Sequence, residues 1–152
     1  MRPKYETKLD RVHQRVVADA VVATHPGSTW HEFPTFHVVD FELLRAGAPV
    51  ALLEVKRRSC ASDAYPDYAI SEEKWHKMVA EGKAQGLPVF FAAHFSDRAL
   101  WTPVVEGRFR AYRGGRRDRG DKRDVETMVH VPWKEFKLLR GLRGHGNLGP
   151  AK

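Results

Sequence analysis

Asp40, Glu54 and Lys56 are the residues whose types and spacing can do chemistry together. They lie in His37–Lys56, HVVDFELLRAGAPVALLEVK, which reads as two apolar strands joined by a short turn. Strand side chains alternate between faces, so Glu54 and Lys56 share one face while Val55 takes the other. A three- or five-residue turn in Ala46-Gly47-Ala48-Pro49 places Asp40 opposite Glu54 or Lys56, on that same face. Two carboxylates beside an ammonium suit a hard divalent cation that takes oxygen ligands and keeps waters, with a lysine able to handle one of those waters. The chemistry this points to is metal-dependent phosphodiester hydrolysis. The competing reading is a cross-strand ion pair, Glu54–Lys56 or Asp40–Lys56, on an exposed face. Val38, Val39, Leu43, Leu44, Leu52 and Leu53 weigh against it, because carboxylates buried among such residues need a metal or a paired cation. Glu42 shares the face of Asp40, so a slip in register would put it forward instead.

The order Asp40, a spacer, then Glu54-Val55-Lys56 resembles the PD-(D/E)XK nuclease superfamily, which includes many restriction enzymes, phage exonucleases and archaeal-type Holliday junction resolvases. The resemblance covers residues 5–95, and the position before Asp40 holds Val39 where the family name has proline. It implies a restriction-endonuclease-like α-β-β-β-α-β core, a mixed sheet flanked by helices. It implies Asp40 and Glu54 as ligands of Mg²⁺, with Mn²⁺ able to substitute, and the Val55 carbonyl as a third ligand. Lys56 then orients or activates the attacking water, or stabilises charge developing on the phosphate. Glu6 resembles the helix-borne acid that completes the metal shell or serves a second metal; a solvated surface glutamate is the other reading. Lys74 stands where relatives carry a Gln or Lys on the second helix facing the site.

The implied activity is a magnesium-dependent deoxyribonuclease leaving 5′-phosphates. The EVKRR run and the GLPVFFAAHF strand look most like a Holliday junction resolvase or a small phage nuclease, which places DNA recombination, repair and phage roles in view. A resolvase implies a homodimer, since one junction needs two symmetric cuts. The reading from a different class is a catalytically silent nucleic-acid-binding module using the arginine-rich loop, or an RNA-binding accessory protein using the same loop.

These residues need elements to hold them. Residues 5–23 read as a helix whose apolar stripe is Tyr5, Leu9, Val12, Val16, Ala20 and Ala23, stopped by His25-Pro26-Gly27-Ser28. Trp30 to Phe36 reads as an edge strand, Pro34 arguing against a central one. Val38–Arg45 and Val50–Arg57 form the hairpin, and residues 58–70 a loop around Pro66. Ser71 is placed as an N-cap, with Glu72 and Glu73 in the first turn and Ile70 stapling onto Trp75. Trp75, Met78, Val79 and Gly82 face the core, Gly86 ends the helix, and Val89–Ala93 follows as a central parallel strand. The order is helix, two or three strands, helix, strand, an α/β sandwich.

The tail differs in kind. After a strand at Leu100–Val105, residues 108–124 hold eight Arg or Lys against three Asp. This reads as a basic β-hairpin extension over residues 100–131, returning through a strand at Val125–Val131, with a mobile tip around Arg113–Arg123. Arg57, Arg58, Lys74, Arg113, Arg116, Arg117 and Arg119 are the candidate phosphate contacts, a kind of contact that supplies affinity without reading sequence. A short helix is expected at Trp133–Leu139 and a glycine-rich disordered tail over 141–152, leaving residues 1–140 as one nuclease domain.

With 152 residues, 42% of them hydrophobic, the chain can bury one core. A net charge of +7 and a pI of about 9.8 favour a polyanionic partner, here DNA. The lone Cys60 excludes an internal disulfide framework and suits a reducing compartment. With no signal-peptide pattern and no membrane span, the expectation is a cytoplasmic protein with no membrane partner. The eight histidines form no zinc motif, though His13, His31 and His76 are candidates to lie near the cleft.

Overall fold

The turn of the central hairpin fixes what sits beside what. In the computed structural model, which describes residues 8–107, 109, 111–115 and 125–146, Ala46 and Gly47 have φ of 52° and 80°. Two consecutive positive φ angles make the tightest hairpin connection, a two-residue turn. It joins strand β2 (Phe41–Arg45) to strand β3 (Ala48–Arg57), with Arg45 opposite Ala48. The turn is thus shorter than the three or five residues expected. On its own it would carry Asp40 opposite Leu53 and onto the wrong face. A bulge corrects this: Leu44 pairs with Pro49 but Leu43 with Ala51, so Val50 is the extra residue. Register then runs to Phe41 opposite Leu53, and Asp40 comes next to Glu54.

Strand β1 (Ser28–Glu32) pairs antiparallel with β2 and forms one edge, shorter than the extended segment expected to Phe36. Strand β5 (Val89–His94) pairs parallel with β3, from Leu52 opposite Val89 to Arg57 opposite His94. The crossover between them carries helix α2 (Glu72–Gln85). The Ser71 side chain accepts from the Lys74 N–H at its start, and Gly86, at φ 68°, closes its end. Strands β6 (Arg98–Pro103) and β9 (Lys137–Arg143) add antiparallel partners, giving a six-stranded mixed sheet in the order β1-β2-β3-β5-β6-β9.

Helix α1 (Lys8–Ala23) covers one face through Val17, Ala18 and Val21, packed on Phe41, Leu43, Leu53, Val55 and Ala92. The expected stripe is displaced: Leu9, Val12 and Val16 are 61%, 48% and 43% exposed. Ion pairs from Arg11 and Arg15 to Glu32, at 3.0 and 2.9 Å, together with Arg11 donating to the Phe33 carbonyl, hold the helix in this rotation.

The opposite face is covered by α2 and a second, three-stranded sheet. Strand β4 (Asp67–Ser71), inside the segment expected as a loop, pairs with β8 (Val125–Pro132), and β8 pairs with β7 (Ala111–Gly115). The basic hairpin is thus β7 against β8, built into a sheet, whereas the strand expected at Leu100–Val105 to open it is β6 of the main sheet. The hairpin's connecting residues 116–124, with the expected mobile tip, lie outside the described residues. Trp133–Leu139 is not a helix: a single 3-10 turn, Trp133–Glu135, leads into β9. Residues 141–146, expected to be disordered, continue that strand and then bond the chain after β5 through His145 N–H to Phe95 O (3.1 Å) and Gly146 N–H to Ser96 O (2.9 Å). Among the described residues no helix is long and apolar enough to cross a membrane.

Candidate active site

Strand β3 sorts its side chains by parity. Leu53 and Val55 join the α1-side core, and Leu52 joins the core under α2. Glu54 and Lys56 therefore emerge on the α2 side, as alternation requires. Backbone groups sort as well. Even residues bond β5, through Leu52 N–H to Pro88 O and Arg58 N–H to His94 O. Odd residues face β2: Leu53 O accepts from Asp40 N–H (3.1 Å), and the Val55 N–H donates to Asp40 Oδ2 at 2.8 Å. The Val55 carbonyl leaves the strand on that same edge, beside the carboxylate.

Asp40 itself is 8% exposed. Its backbone is fixed at both ends, because its carbonyl also accepts from the Phe33 N–H at 2.9 Å. Glu54 Oε2 lies 3.1 Å from the Lys74 ammonium, which also donates to the Val38 carbonyl. Lys74 thus ties α2 to the hairpin and to Glu54, at the place in the fold expected of it. Its ammonium is engaged by these two protein groups. Lys56 is exposed, two residues on along the same face.

Glu42 pairs across from Leu52, one alternation removed from Glu54, so the register keeps Asp40 as the acid beside it. Among the described residues no group of three or more His, Cys, Asp or Glu side chains is placed to hold a metal. Two carboxylates, a main-chain carbonyl and water remain as donors. That all-oxygen set fits Mg²⁺, which binds one or two carboxylates and retains several waters. Glu6, Arg116, Arg117 and Arg119 lie outside the described residues. Arg113 stands on β7 opposite Thr127.

The two arginines after Lys56 go to opposite sides. Arg57 turns toward α1, among His13, His94 and His145. Burial and then the Arg57 charge hold the His13 imidazole below its ordinary range. Burial likewise lowers His94, opposed by its Nε2–H donating to the Arg143 carbonyl at 2.8 Å. Arg58 stays on the Lys56 side, its guanidinium 5.4 Å from the centre of the Tyr68 ring. Burial pushes the Tyr68 phenol up to about 12, with Arg58 opposing, so it remains protonated. The sequence reading missed Tyr68. The spacing of the large apolar Tyr68 and Ile70 two residues apart was the available sign that the segment is a strand with Tyr68 facing in. Of the histidines, His13 joins the Arg57 cluster, and His31 stacks edge-on against Phe33 on β1.

A model of the family described as "phage putative PDDEXK endonuclease" matches residues 1–139 of the chain. Among solved structures, it is similar to Hjc, a Holliday junction resolvase from Archaeoglobus fulgidus. The TM-score is 0.53 at 14% identity, over 84% of this chain and 86% of that one. It is also similar to D212, a nuclease from a fusselovirus, with a TM-score of 0.50 at 14% identity, over 91% and 90% of the two chains. At this identity the likeness is one of fold, the mixed sheet flanked by helices seen in restriction-endonuclease-like nucleases. No curated protein sequence matches the chain significantly.

Proposed function

Because the chain belongs to the phage PD-(D/E)XK endonuclease family, we propose that it hydrolyses DNA phosphodiester bonds with a divalent metal held by Asp40, Glu54 and the Val55 carbonyl. The observation that carries this reading is the Asp40–Val55 bond. It fixes a nearly buried carboxylate beside Glu54, on the edge of β3 that carries the backbone groups of Val55. Mg²⁺, when bound, supplies a Lewis acid for the phosphate oxygens and a more acidic water.

The chain's own residues do the rest. Asp40 is pinned by the Val55 N–H and its two backbone bonds, so it costs little reorganisation when a ligand arrives. Glu54 is aimed by Lys74. Lys56, exposed on the same face, would orient the nucleophile and offset charge that develops in the transition state. Arg58, next on that face, supports binding of the phosphates flanking the cut. Glu6 is proposed as a further acid of the metal shell.

The test is cleavage of labelled single-stranded, duplex and four-way-junction DNA in Mg²⁺, Mn²⁺ or EDTA. Cleavage that needs the divalent ion and leaves 5′-phosphates supports the reading, and the preferred substrate names the subclass. Preference for the junction would favour a homodimer with recombination or repair roles, to be checked by light scattering. Binding without cleavage in every ion would favour the silent DNA-binding module.

A further inference from the structure

Beside the candidate centre, on the same side of the sheet, lies a cavity of about 300 Å³ that the proposed hydrolysis does not use. Arg58 forms its wall nearest the centre, two residues beyond Lys56 and about 7 Å along the strand direction. Tyr68 is its buried floor, and Trp133 stands against Tyr68 with ring centres 6.2 Å apart. The Trp133 indole N–H donates to the Tyr65 carbonyl at 2.8 Å, which fixes the ring. Tyr65 itself is 61% exposed at the mouth. Among these aromatics is one polar pair, His130 Nδ1 at 3.0 Å from Asp67 Oδ1, each about a third exposed.

Several features together specify the occupant. The volume is at the small end for ligand pockets, roughly 300–1,000 Å³, and admits one heteroaromatic ring system but not a base pair. The Tyr68 face is already covered by Arg58, so the rings left for a base to stack on are Tyr65 at the mouth and the half-buried Trp133. The Asp67 carboxylate, about a third exposed, offers an acceptor to the edge of such a ring. Arg58 joins this pocket to the exposed Lys56, so a strand crossing the centre brings an adjoining nucleotide to the mouth.

We infer that this pocket receives one unpaired nucleobase of the DNA strand being cut, next to the scissile phosphate, so that the preferred substrate is single-stranded or locally unpaired there. The inference rests on the nuclease reading above for the identity of the strand. Its physical test does not require cleavage.

Binding is measured in EDTA by fluorescence anisotropy. The ligands are a short single strand and the same backbone made entirely of abasic sugars, and the proteins are the wild type and Tyr65→Ala, with folding checked by circular dichroism. One stacked base predicts about tenfold tighter binding of the intact strand by the wild type, and a gap mostly closed by Tyr65→Ala. A second variant, Asp67→Leu, keeps the stacking surfaces and is expected to change which base binds best. Equal affinity of the wild type for both strands, or an unchanged gap in Tyr65→Ala, would overturn the pocket. Millimolar deoxyadenosine monophosphate is expected to leave the strand bound; displacement would make this a free-nucleotide site and also overturn the inference.

A parallel digestion in Mg²⁺ uses a strand with a single abasic site. Cuts at one fixed offset from that site should drop about tenfold in the wild type. Discrimination in EDTA with no cleavage in Mg²⁺ would sink the nuclease reading alone, whereas cleavage without discrimination would sink the pocket alone.

Discussion

The two faces of strand β3 are built from adjacent residues and do opposite work. Toward α1, Leu53 and Val55 close a buried layer with Val17, Val21 and Phe41, and Arg57 sits among three histidines. Toward α2, Leu52 gives way to Glu54, Lys56 and Arg58, with Lys74 reaching Glu54 from α2 and Asp40 standing next to it just before β2. The α1 face secures the strand so that the other can carry charges a folding core would reject. Fold and function are thus separated by a half-turn of one strand, and substitutions on the two faces should fail in different ways.

The largest stability loss is expected from Leu53→Ala. The side chain is fully buried, and truncation costs about 2–5 kcal/mol, a large share of a typical domain's 5–15. Urea denaturation should show it, whereas Lys56→Met, on the opposite face and exposed, should leave the midpoint little changed. If both destabilise alike, the separation of the faces is wrong.

A smaller effect tests how Glu54 is held. Lys74→Met removes the ammonium 3.1 Å from Glu54 in a mostly buried setting, at a cost of about 1–3 kcal/mol. Since Lys74 and a bound cation would offset the same carboxylate charge, Mg²⁺ should raise the melting temperature of Lys74→Met more than that of the wild type. An equal rise would separate Lys74 from the metal site.

The α1 face should be the more sensitive to acid. His13 and His94 titrate below the ordinary histidine value of about 6.5 because burial, Arg57 and His145 disfavour their charged forms, with Asp10 opposing at His13 and the Arg143 carbonyl at His94. Between the folded and unfolded values the unfolded chain binds more protons. The stabilisation is therefore complete above about 6.5 and is lost as pH falls through the folded values. His94→Gln should flatten that decline in a pH series of thermal melts; an unchanged slope would remove His94 from its cause.

Much of the α2-side site was legible because short-range rules govern it. Alternation along Glu54-Val55-Lys56 and the capping signs around Ser71 and Gly86 act over a few residues, and the structure agrees with them. The hairpin was harder: a two-residue turn and a one-residue bulge together give the register of a three-residue turn, so the pairing was anticipated by a different route. The C-terminal segment was misread because its glycines have a long-range purpose. A Cβ on Gly144 would lie 2.2 Å from the Ser96 carbonyl oxygen, so glycine there marks a close backbone approach rather than disorder. The rotation of α1 was equally hidden, since it depends on Arg11 and Arg15 meeting Glu32 across the fold.

The most direct test of the central claim, that the α2 face of β3 is the nuclease centre, is DNA cleavage in Mg²⁺ by the wild type, Asp40→Asn and Lys56→Ala side by side, with circular dichroism and DNA binding measured on each. The account predicts that both variants fold and bind DNA yet lose about 10²–10³-fold or more in cleavage rate. Folded variants that cleave as fast as the wild type would contradict it and place the chemistry elsewhere in the chain.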